Sequence, residues 1–467
     1  MNSRRSWSGL LTSAMRGTPG SSALGSADGQ SSPYIIHRAG FRGPFLDIRV
    51  KKAFKDGHAT ACEPTGVTRS RWVTASSLRR YISVKCWWVP LFLVLASCGG
   101  PAATLSPTAS PSAVKSPTPS GAGGIWSSAG TMKTARDYHT ATLLRNGKVL
   151  VAGGYTGPLG SVVLASTELY DPVTNRWLEA APLLVPHASH AAALLPDGKV
   201  LVASGRSSGG DTVEAETYDP AANAWSRAGS LAVARTSATA IVLTTGKVLV
   251  IGGDAGTNPP AELYDPGTNS WSQLPNTTTH HVNVASSLSN GKVLVLGDES
   301  NWSYLFSAIY DPLSNTWSSI GRPPVPLLSA VLLGNGKVLF VRNLTPSGDT
   351  RLAELYDPVL DSWTPAARME INGVWGTATA LPGGRALVAG GPMSGGAIGC
   401  GPDASCPNAE VYDPAQDAWT VTSGMATSRG EHTATLLTNG KVLITGGFVP
   451  PNPDMIATAE IYDPTRQ

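Results

Sequence analysis

The residue types most suited to chemistry in this chain are histidines, arginines, tryptophans and acidic residues that flank short apolar runs. Before such runs stand Arg136, His139, His187, His190, Arg235, His280, His281, Trp375, Arg429, Glu431 and His432. After such runs stand Asp298, Trp302, Tyr304 and Arg342. Arginine and tryptophan are typical anchors of binding sites, so these positions are the candidate ligand-binding residues.

Three interpretations of this set compete. The residues could hydrogen-bond the loops that carry them, as part of the scaffold. They could instead form a ring that holds a polar ligand, such as a glycan or an acidic peptide loop. The histidines could also bind a metal, but His280 and His281 would then have to converge with His187 or His190 from distant segments. We therefore expect neither a metal site nor a cofactor.

The elements that must position these residues are repeated. The phrase Tyr-Asp-Pro occurs seven times, at Tyr170, Tyr218, Tyr264, Tyr310, Tyr356, Tyr412 and Tyr462. Successive copies lie 46 to 56 residues apart, a period typical of propeller blades with four strands each. Each copy but the last is followed seven residues later by a tryptophan, and Trp126 precedes the first copy.

The first repeat contains the signals of four strands. Alternating residues 139–144 and the apolar run 148–152 flank Asn146-Gly147, which predicts a hairpin with a type I′ turn. The third strand ends at Asp171-Pro172, because proline cannot donate to a sheet. The tryptophan then opens the fourth strand and buries apolar area against the next unit.

The paired glycines, the tyrosine and the downstream tryptophan resemble the kelch repeat over residues 125–467. The resemblance implies an all-β fold, a seven-bladed β-propeller with four antiparallel strands per blade. Since the seventh repeat lacks its tryptophan, we expect the strand around Trp126 to complete the last blade and close the ring. Positions that recur in every blade then serve the scaffold, and we expect their aspartates to cap turns.

The loops fall on two faces of such a propeller. The A–B and C–D turns are short and nearly constant, whereas the B–C and D–A loops hold almost all the variation. We therefore take the second set as the working face. The most irregular blades are four to six, which include the 392–408 loop.

Similar propellers include copper enzymes of the galactose-oxidase type and sialic-acid mutarotases. The copper enzymes use a cysteine cross-linked to a tyrosine in the early blades, and the first five blades here contain no cysteine. A mutarotase would use an arginine- and glutamate-bearing funnel, which Arg136, Arg235, Arg429 and Glu431 allow. We expect a protein- or carbohydrate-binding module, with a glycan-active enzyme as the alternative.

The first part of the chain differs in composition. Residues 1–97 hold 14 Lys and Arg against 4 Asp and Glu, so the other residues, with 21 against 28, carry a net charge of −7. The mildly acidic repeat region argues against nucleic acid as a partner. Basic residues and an apolar run over 73–97 predict a signal peptide, and residues 1–72 are then a misassigned or disordered extension.

The apolar run ends in Leu95-Ala96-Ser97-Cys98, which resembles a bacterial lipobox. That resemblance implies lipidation of Cys98 and a protein anchored to a bacterial membrane or cell surface. An ordinary signal peptide that ends in cysteine is the alternative. Residues 98–124 are rich in Ser, Pro and Ala and predict a flexible tether. In an exported protein Cys400 and Cys406 predict a disulfide; a metal site would need further ligands.

Overall fold

The computed structural model describes residues 35–36, 41–42, 45–46, 50–51, 123–253, 259–274, 281–298, 305–321, 327–342, 352–370, 376–390, 409–449 and 454–466. The chain divides into two compact units, Met1–Pro107 and Thr108–Gln467. In the first unit the described residues form two short antiparallel pairs, Ile35–Ile36 with Val50–Lys51 and Phe41–Arg42 with Phe45–Leu46. The predicted signal peptide lies outside the described residues.

The second unit contains seven four-stranded antiparallel sheets, each with strands in the order A, B, C, D. Two short hairpins lie in B–C loops, Tyr155–Thr156 with Val162–Val163 and Arg206–Ser207 with Gly210–Asp211. The A strands are Thr140–Leu143, Ala191–Leu194, Thr239–Val242, His281–Ser287, Leu327–Leu332, Thr377–Ala380 and Thr433–Leu436. The B strands are Val149–Ala152, Val200–Ala203, Val248–Ile251, Val293–Asp298, Val338–Arg342, Ala386–Ala389 and Val442–Thr445.

The outer half of each blade is made by strands C and D. The C strands are Thr167–Asp171, Glu214–Asp219, Glu262–Asp265, Leu305–Asp311, Ala353–Asp357, Ala409–Asp413 and Thr458–Asp463. The D strands are Arg176–Ala180, Ala224–Ser230, Ser270–Gln273, Thr316–Ser319, Ser362–Pro365, Ala418–Val421 and, for blade seven, Ile125–Thr131. In the described residues the helices are two short 3₁₀ turns, Pro158–Gly160 and Pro382–Gly384, and neither is long and apolar enough to cross a membrane.

The seven sheets form a closed ring, as the repeat predicts. Each strand A contacts strand A of the next blade, and strand A of blade seven contacts that of blade one. In blade seven Trp126 pairs with Tyr462, and Ile125 pairs with Asp463. The expectation that the segment around Trp126 completes the last blade is therefore confirmed.

The A–B turns differ from the predicted type I′. Leu144 N–H donates to Lys148 O at 2.8 Å, and Gly147 N–H donates to Leu144 O at 3.0 Å. Gly147 has φ 81°, whereas Asn146 has no positive φ. The loop is therefore a three-residue turn that ends in a left-handed glycine, a hairpin type that needs only one residue of positive φ. The I′ prediction is wrong.

The Tyr-Asp-Pro phrase builds the C–D turn. Asp171 Oδ1 accepts the backbone N–H of Val173 at 3.0 Å, which confirms that this aspartate caps the turn. The Tyr170 hydroxyl donates to Asn175 Oδ1 at 2.8 Å, and Asn175 has φ 53°. Asn tolerates this left-handed conformation better than most residues, so its place in the turn follows from the backbone.

The tryptophans join neighbouring blades. Trp177 packs on Tyr170 with ring centroids 5.0 Å apart, and its indole N–H donates to the carbonyl of Ala129 in the preceding blade at 2.8 Å. Val149 and Val151 of blade one share a buried apolar cluster with residues of blade seven. The core is thus a set of apolar layers between blades, and the repeated residues serve the scaffold.

Candidate functional site

The strand directions place the B–C and D–A loops on one side of the propeller, which we call the loop face. On this face three of the four candidate arginines have no exposed surface: Arg136, Arg235 and Arg429 are each 0% exposed. Each is ion-paired to a glutamate of strand C in its own blade, through Arg136–Glu168 at 2.7 Å, Arg235–Glu262 at 2.9 Å and Arg429–Glu460 at 2.6 Å. These guanidinium groups therefore hold the scaffold and do not line the channel mouth.

The same glutamates also fix the D–A loops. Glu168 accepts the backbone N–H groups of Lys133 and Thr134 at 2.7 and 3.2 Å. In blade two His187 takes the place of the arginine: its Nδ1–H donates to Ser204 O at 2.7 Å, and its Nε2 lies 3.6 Å from Glu216. His187 is buried as well, so its role is the same.

Three other histidines connect adjacent blades. His190 Nε2 bonds the Thr140 hydroxyl at 2.8 Å, and His432 Nε2 bonds that of Thr377 at 3.1 Å. His139 Nε2 lies 3.1 and 3.0 Å from the hydroxyls of Thr433 and Thr445. Burial lowers the pKa of all three, for His432 to about 3. They are neutral at pH 7.

This arrangement does not suit a copper centre. The Nε2 atom of each of these histidines is hydrogen-bonded to a threonine, and each bond lies in a different blade interface. In the part of the chain that the structure describes, no three His, Cys, Asp or Glu residues are grouped as metal ligands would be.

The other candidates lie in blades four to six or before the propeller. His281 pairs with Asp298 at the ends of strands A and B of blade four, and Arg342 ends strand B of blade five. Their side chains lie outside the described residues, as do His280, Trp302, Tyr304, Trp375, Cys98, Cys400 and Cys406.

A row of left-handed residues precedes the innermost strands. Tyr138, Ser189, Ser237 and Glu431 have φ values of 47°, 49°, 58° and 50°. Ser189 N–H donates to Tyr138 O at 2.9 Å, and Ser237 N–H donates to Ser189 O at 2.7 Å. These two bonds carry the row from blade one to blade three at the channel mouth. Strained conformations of non-glycine residues concentrate at functional sites.

The row carries a group of polar side chains, which we call the channel-mouth cluster: Asp137, Tyr138, Tyr155, Ser189 and Glu431. The Tyr138 hydroxyl donates to the Glu431 carboxyl, across the junction of blades one and seven. The Tyr138 and Tyr155 rings meet edge to face with centroids 5.9 Å apart. Asp137 and Tyr155 exchange backbone hydrogen bonds of 3.2 and 2.9 Å, and Tyr155 also bonds Ser189.

The two carboxyl groups of the cluster have raised pKa values. Burial raises the pKa of Asp137 to about 7, and the charge of Glu431 adds to the effect. Burial likewise raises the pKa of Glu431 to about 7, although the hydrogen bond from Tyr138 opposes this. Asp137 is 6% exposed and its Oδ1 has no hydrogen-bond partner. Near pH 7 the pair can accept, donate or exchange a proton.

Of this cluster only Glu431 was predicted from the sequence. Asp137, Tyr138 and Tyr155 were missed, although Asp137 and Tyr138 are replaced by Ala188 and Ser189 in the next blade and so break the repeat. That irregularity was the available signal. The cluster lies in blades seven and one, whereas the sequence pattern is most irregular in blades four to six.

Comparisons with known proteins agree with this fold. The model of the Kelch motif matches residues 138–184 and 235–278. Among solved structures, a fungal alcohol oxidase described as having catalytic diversity among the AA5 family, in complex with copper, superposes with a TM-score of 0.58 at 18% identity. The match covers 73% of this chain and 76% of the oxidase. No curated protein matches. At this identity the likeness to the oxidase shows the fold alone.

Proposed function

We propose that this seven-bladed kelch-type propeller is the binding domain of an exported, membrane-anchored protein, and that it binds a protein or carbohydrate ligand at the channel-mouth cluster. The observation that carries the proposal is Asp137, whose Oδ1 is buried without a hydrogen-bond partner. A buried unsatisfied carboxyl oxygen costs stability. A ligand that donates a hydrogen bond to it would recover that cost.

The position of the cluster supports the same proposal. It stands on the variable face, beside the innermost strands, and is held by rigid sheets on both sides of the blade-seven junction. Tyr138 and Glu431 both adopt left-handed backbones, which cost energy and persist where the surrounding structure imposes them. Sites built in this way are pre-organised for a ligand.

The alternative function is a glycan-active enzyme. A mutarotase-like enzyme would need free arginines in the funnel. Arg136, Arg235 and Arg429 are instead buried in ion pairs with glutamates, which argues against this kind of enzyme. A second kind of glycan-active enzyme is one in which Asp137 and Glu431 act as general acid and base. Their pKa values of about 7 favour it, because acid–base catalysts work best near the operating pH.

A binding screen separates these functions. The full chain is incubated with a glycan array and, by cross-linked pull-down, with surface proteins, in parallel with the Glu431→Gln variant. We expect a retained ligand whose binding falls about tenfold or more in the variant, since one charge-assisted hydrogen bond contributes roughly 1.5–3 kcal/mol.

The control for this screen is Glu179→Gln, which alters a carboxylate exposed on strand D of blade one. Equal binding by Glu431→Gln and the parent chain would place the ligand elsewhere. Conversion of a sugar by the parent chain, lost in Glu431→Gln, would replace the binding function with the catalytic one.

The path of the chain supports anchoring from the opposite face. Ile125 pairs with Asp463, so strand D of blade seven begins at the face of the A–B and C–D turns. Just before it, Gly123 O accepts the Tyr462 hydroxyl at 2.7 Å. The predicted tether that follows Cys98 would therefore join the propeller at the turn face, opposite the loop face.

Anchoring has its own test. The full chain and a Cys98→Ser variant are expressed in a bacterial host with a clickable palmitate analogue. We expect labelled protein in the membrane fraction for the parent, and unlabelled protein released from the membrane for the variant. Membrane retention of Cys98→Ser would contradict anchoring through that residue and would leave the binding proposal intact.

A further inference from the structure

Several carboxylates of this propeller are paired with cations. Glu168, Glu262 and Glu460 each bind a buried arginine, and the aspartate of the Tyr-Asp-Pro phrase binds the lysine just before strand B in six blades. Asp137 and Glu431 differ: across the described ranges neither forms an ion pair with a basic side chain. Two adjacent acids thus stand without a counter-charge at the channel mouth.

The groups around the two acids do not supply that charge. His139 and His432 are buried and neutral, because burial lowers their pKa. Arg206 lies near Tyr155 and is paired with Asp211 at 3.8 Å. The remaining polar neighbours of Asp137 and Glu431 are the hydroxyls of Tyr138 and Tyr155. The cluster therefore offers carboxylate and hydroxyl oxygens and two aromatic rings to whatever enters it.

We propose, on the basis of the binding function above, that the cluster binds a protonated primary amine, namely the side chain of a lysine on a protein partner. An ammonium group has three hydrogen-bond donors and no acceptor. Asp137 Oδ1, the Glu431 carboxylate and a tyrosine oxygen provide three acceptors for it. The rings of Tyr138 and Tyr155 add cation–π attraction.

The surroundings favour lysine over other cations. Calcium takes six to eight oxygen ligands, mostly carboxylates and carbonyls, and the described residues hold no suitable group of three acidic or histidine ligands. An amino sugar carries hydroxyl groups around the rim of its ring. The lysine stem is apolar, and the hairpin that carries Tyr155 presents Leu159 and Val162, which are 66% and 51% exposed. Such a surface suits a four-carbon stem.

The experiment measures the affinity of the full chain for Nα-acetyl-lysine methylamide by calorimetry or ligand-observed NMR. The matched probe is the same molecule acetylated on Nε, which keeps the stem and removes the charge. We expect the acetylated probe to bind at least tenfold more weakly. Equal binding of the two probes would overturn the inference.

Two variants locate the site. Asp137→Asn and Glu431→Gln should each weaken binding of the lysine probe about tenfold or more, whereas Glu179→Gln should leave it unchanged. Because Asp137→Asn removes a destabilising buried acid, the variant should melt at or above the parent temperature, and a melting curve checks that it folds. Unchanged affinity in both variants would overturn the inference.

The affinity should also depend on pH. The carboxyls must be ionised to bind the ammonium, and the lysine amine stays protonated below about pH 10. With a carboxyl pKa of about 7, the ionised fraction of each carboxyl rises roughly tenfold from pH 6 to pH 8, so the dissociation constant should fall by at least about tenfold. A constant affinity over this range would contradict the site.

Competition tests identify the source of the cation. Glucosamine and calcium chloride are added separately to the lysine complex, and we expect neither to displace the probe at equal concentration. Displacement by either would overturn the lysine assignment. The screen could also yield a ligand that depends on Glu431 while the lysine probe does not bind. That result would refute this inference and would leave the proposed function intact.

Discussion

Deletion of residues 124–130 should abolish the single cooperative melting transition of the propeller, or lower its midpoint by about 10 °C or more. The deletion removes strand D of blade seven, which pairs with Thr458–Asp463. It also removes the hydrogen bond of 3.0 Å between Trp126 Nε1 and Thr422 Oγ1 and the fully buried Ala129. The outer edge of strand C in blade seven would then be open to water and to other chains.

The control for this experiment is a deletion of the same length in the predicted tether, residues 110–116. Both proteins are compared by calorimetry and by size-exclusion chromatography, since open edges also promote association. The tether deletion should melt as the parent does. An unchanged melting curve for the 124–130 deletion would refute the view that this strand holds the ring closed.

Replacement of Arg235 by methionine should destabilise the protein by about 3–5 kcal/mol at pH 7, because breaking a buried ion pair leaves an uncompensated charge. Arg235 and Glu262 are both almost fully buried. Glu262 also accepts the backbone N–H of Ala232 at 2.7 Å, so the D–A loop would lose its fixed position as well.

A matched exposed pair provides the control. Arg227 and Glu214 form an ion pair on the surface of the neighbouring strands, with 65% and 33% of their side chains exposed. Arg227→Met should cost less than about 1 kcal/mol. Urea denaturation at pH 7 measures both variants. A cost below about 1 kcal/mol for Arg235→Met would show that the arginine is not structural and would restore it as a candidate ligand contact.

The sequence predicts the architecture well because the same strand and turn signals occur in each of the seven repeats. The Tyr-Asp-Pro phrase and its tryptophan mark strands C and D in each unit, and the displaced Trp126 identifies the strand that closes the ring. The turn type was harder, since Asn-Gly suits both a type I′ turn and a three-residue loop with a left-handed glycine. Only the backbone conformation of Asn146 separates them.

The role of the arginines could not be predicted for a physical reason. Arg136 in the D–A loop finds its partner in Glu168, which the sequence presents only as part of a strand ending in Tyr-Asp-Pro. A charged residue before a strand has the same appearance whether it faces a ligand or is buried with a carboxylate. The distinction depends on which side chain stands opposite, and that is set by the blade packing.

The channel-mouth cluster illustrates the same limit over a longer distance. Asp137 and Glu431 lie in the first and last blades and become neighbours only because the ring closes. Neither residue belongs to a motif, and each alone is an ordinary loop carboxyl. Their shared burial raises both pKa values, and it is this coupling that gives the site its chemistry.

Ring closure also sets the order in which the blades can fold. The hydrogen bond that joins Gly123 to Tyr462 connects residues 339 positions apart, and the strand that completes blade seven leaves the ribosome before any of its partners. Its pairing must wait until all seven blades have been synthesised. Contacts of such long range form slowly. The last blade therefore stays open until the whole propeller has been synthesised.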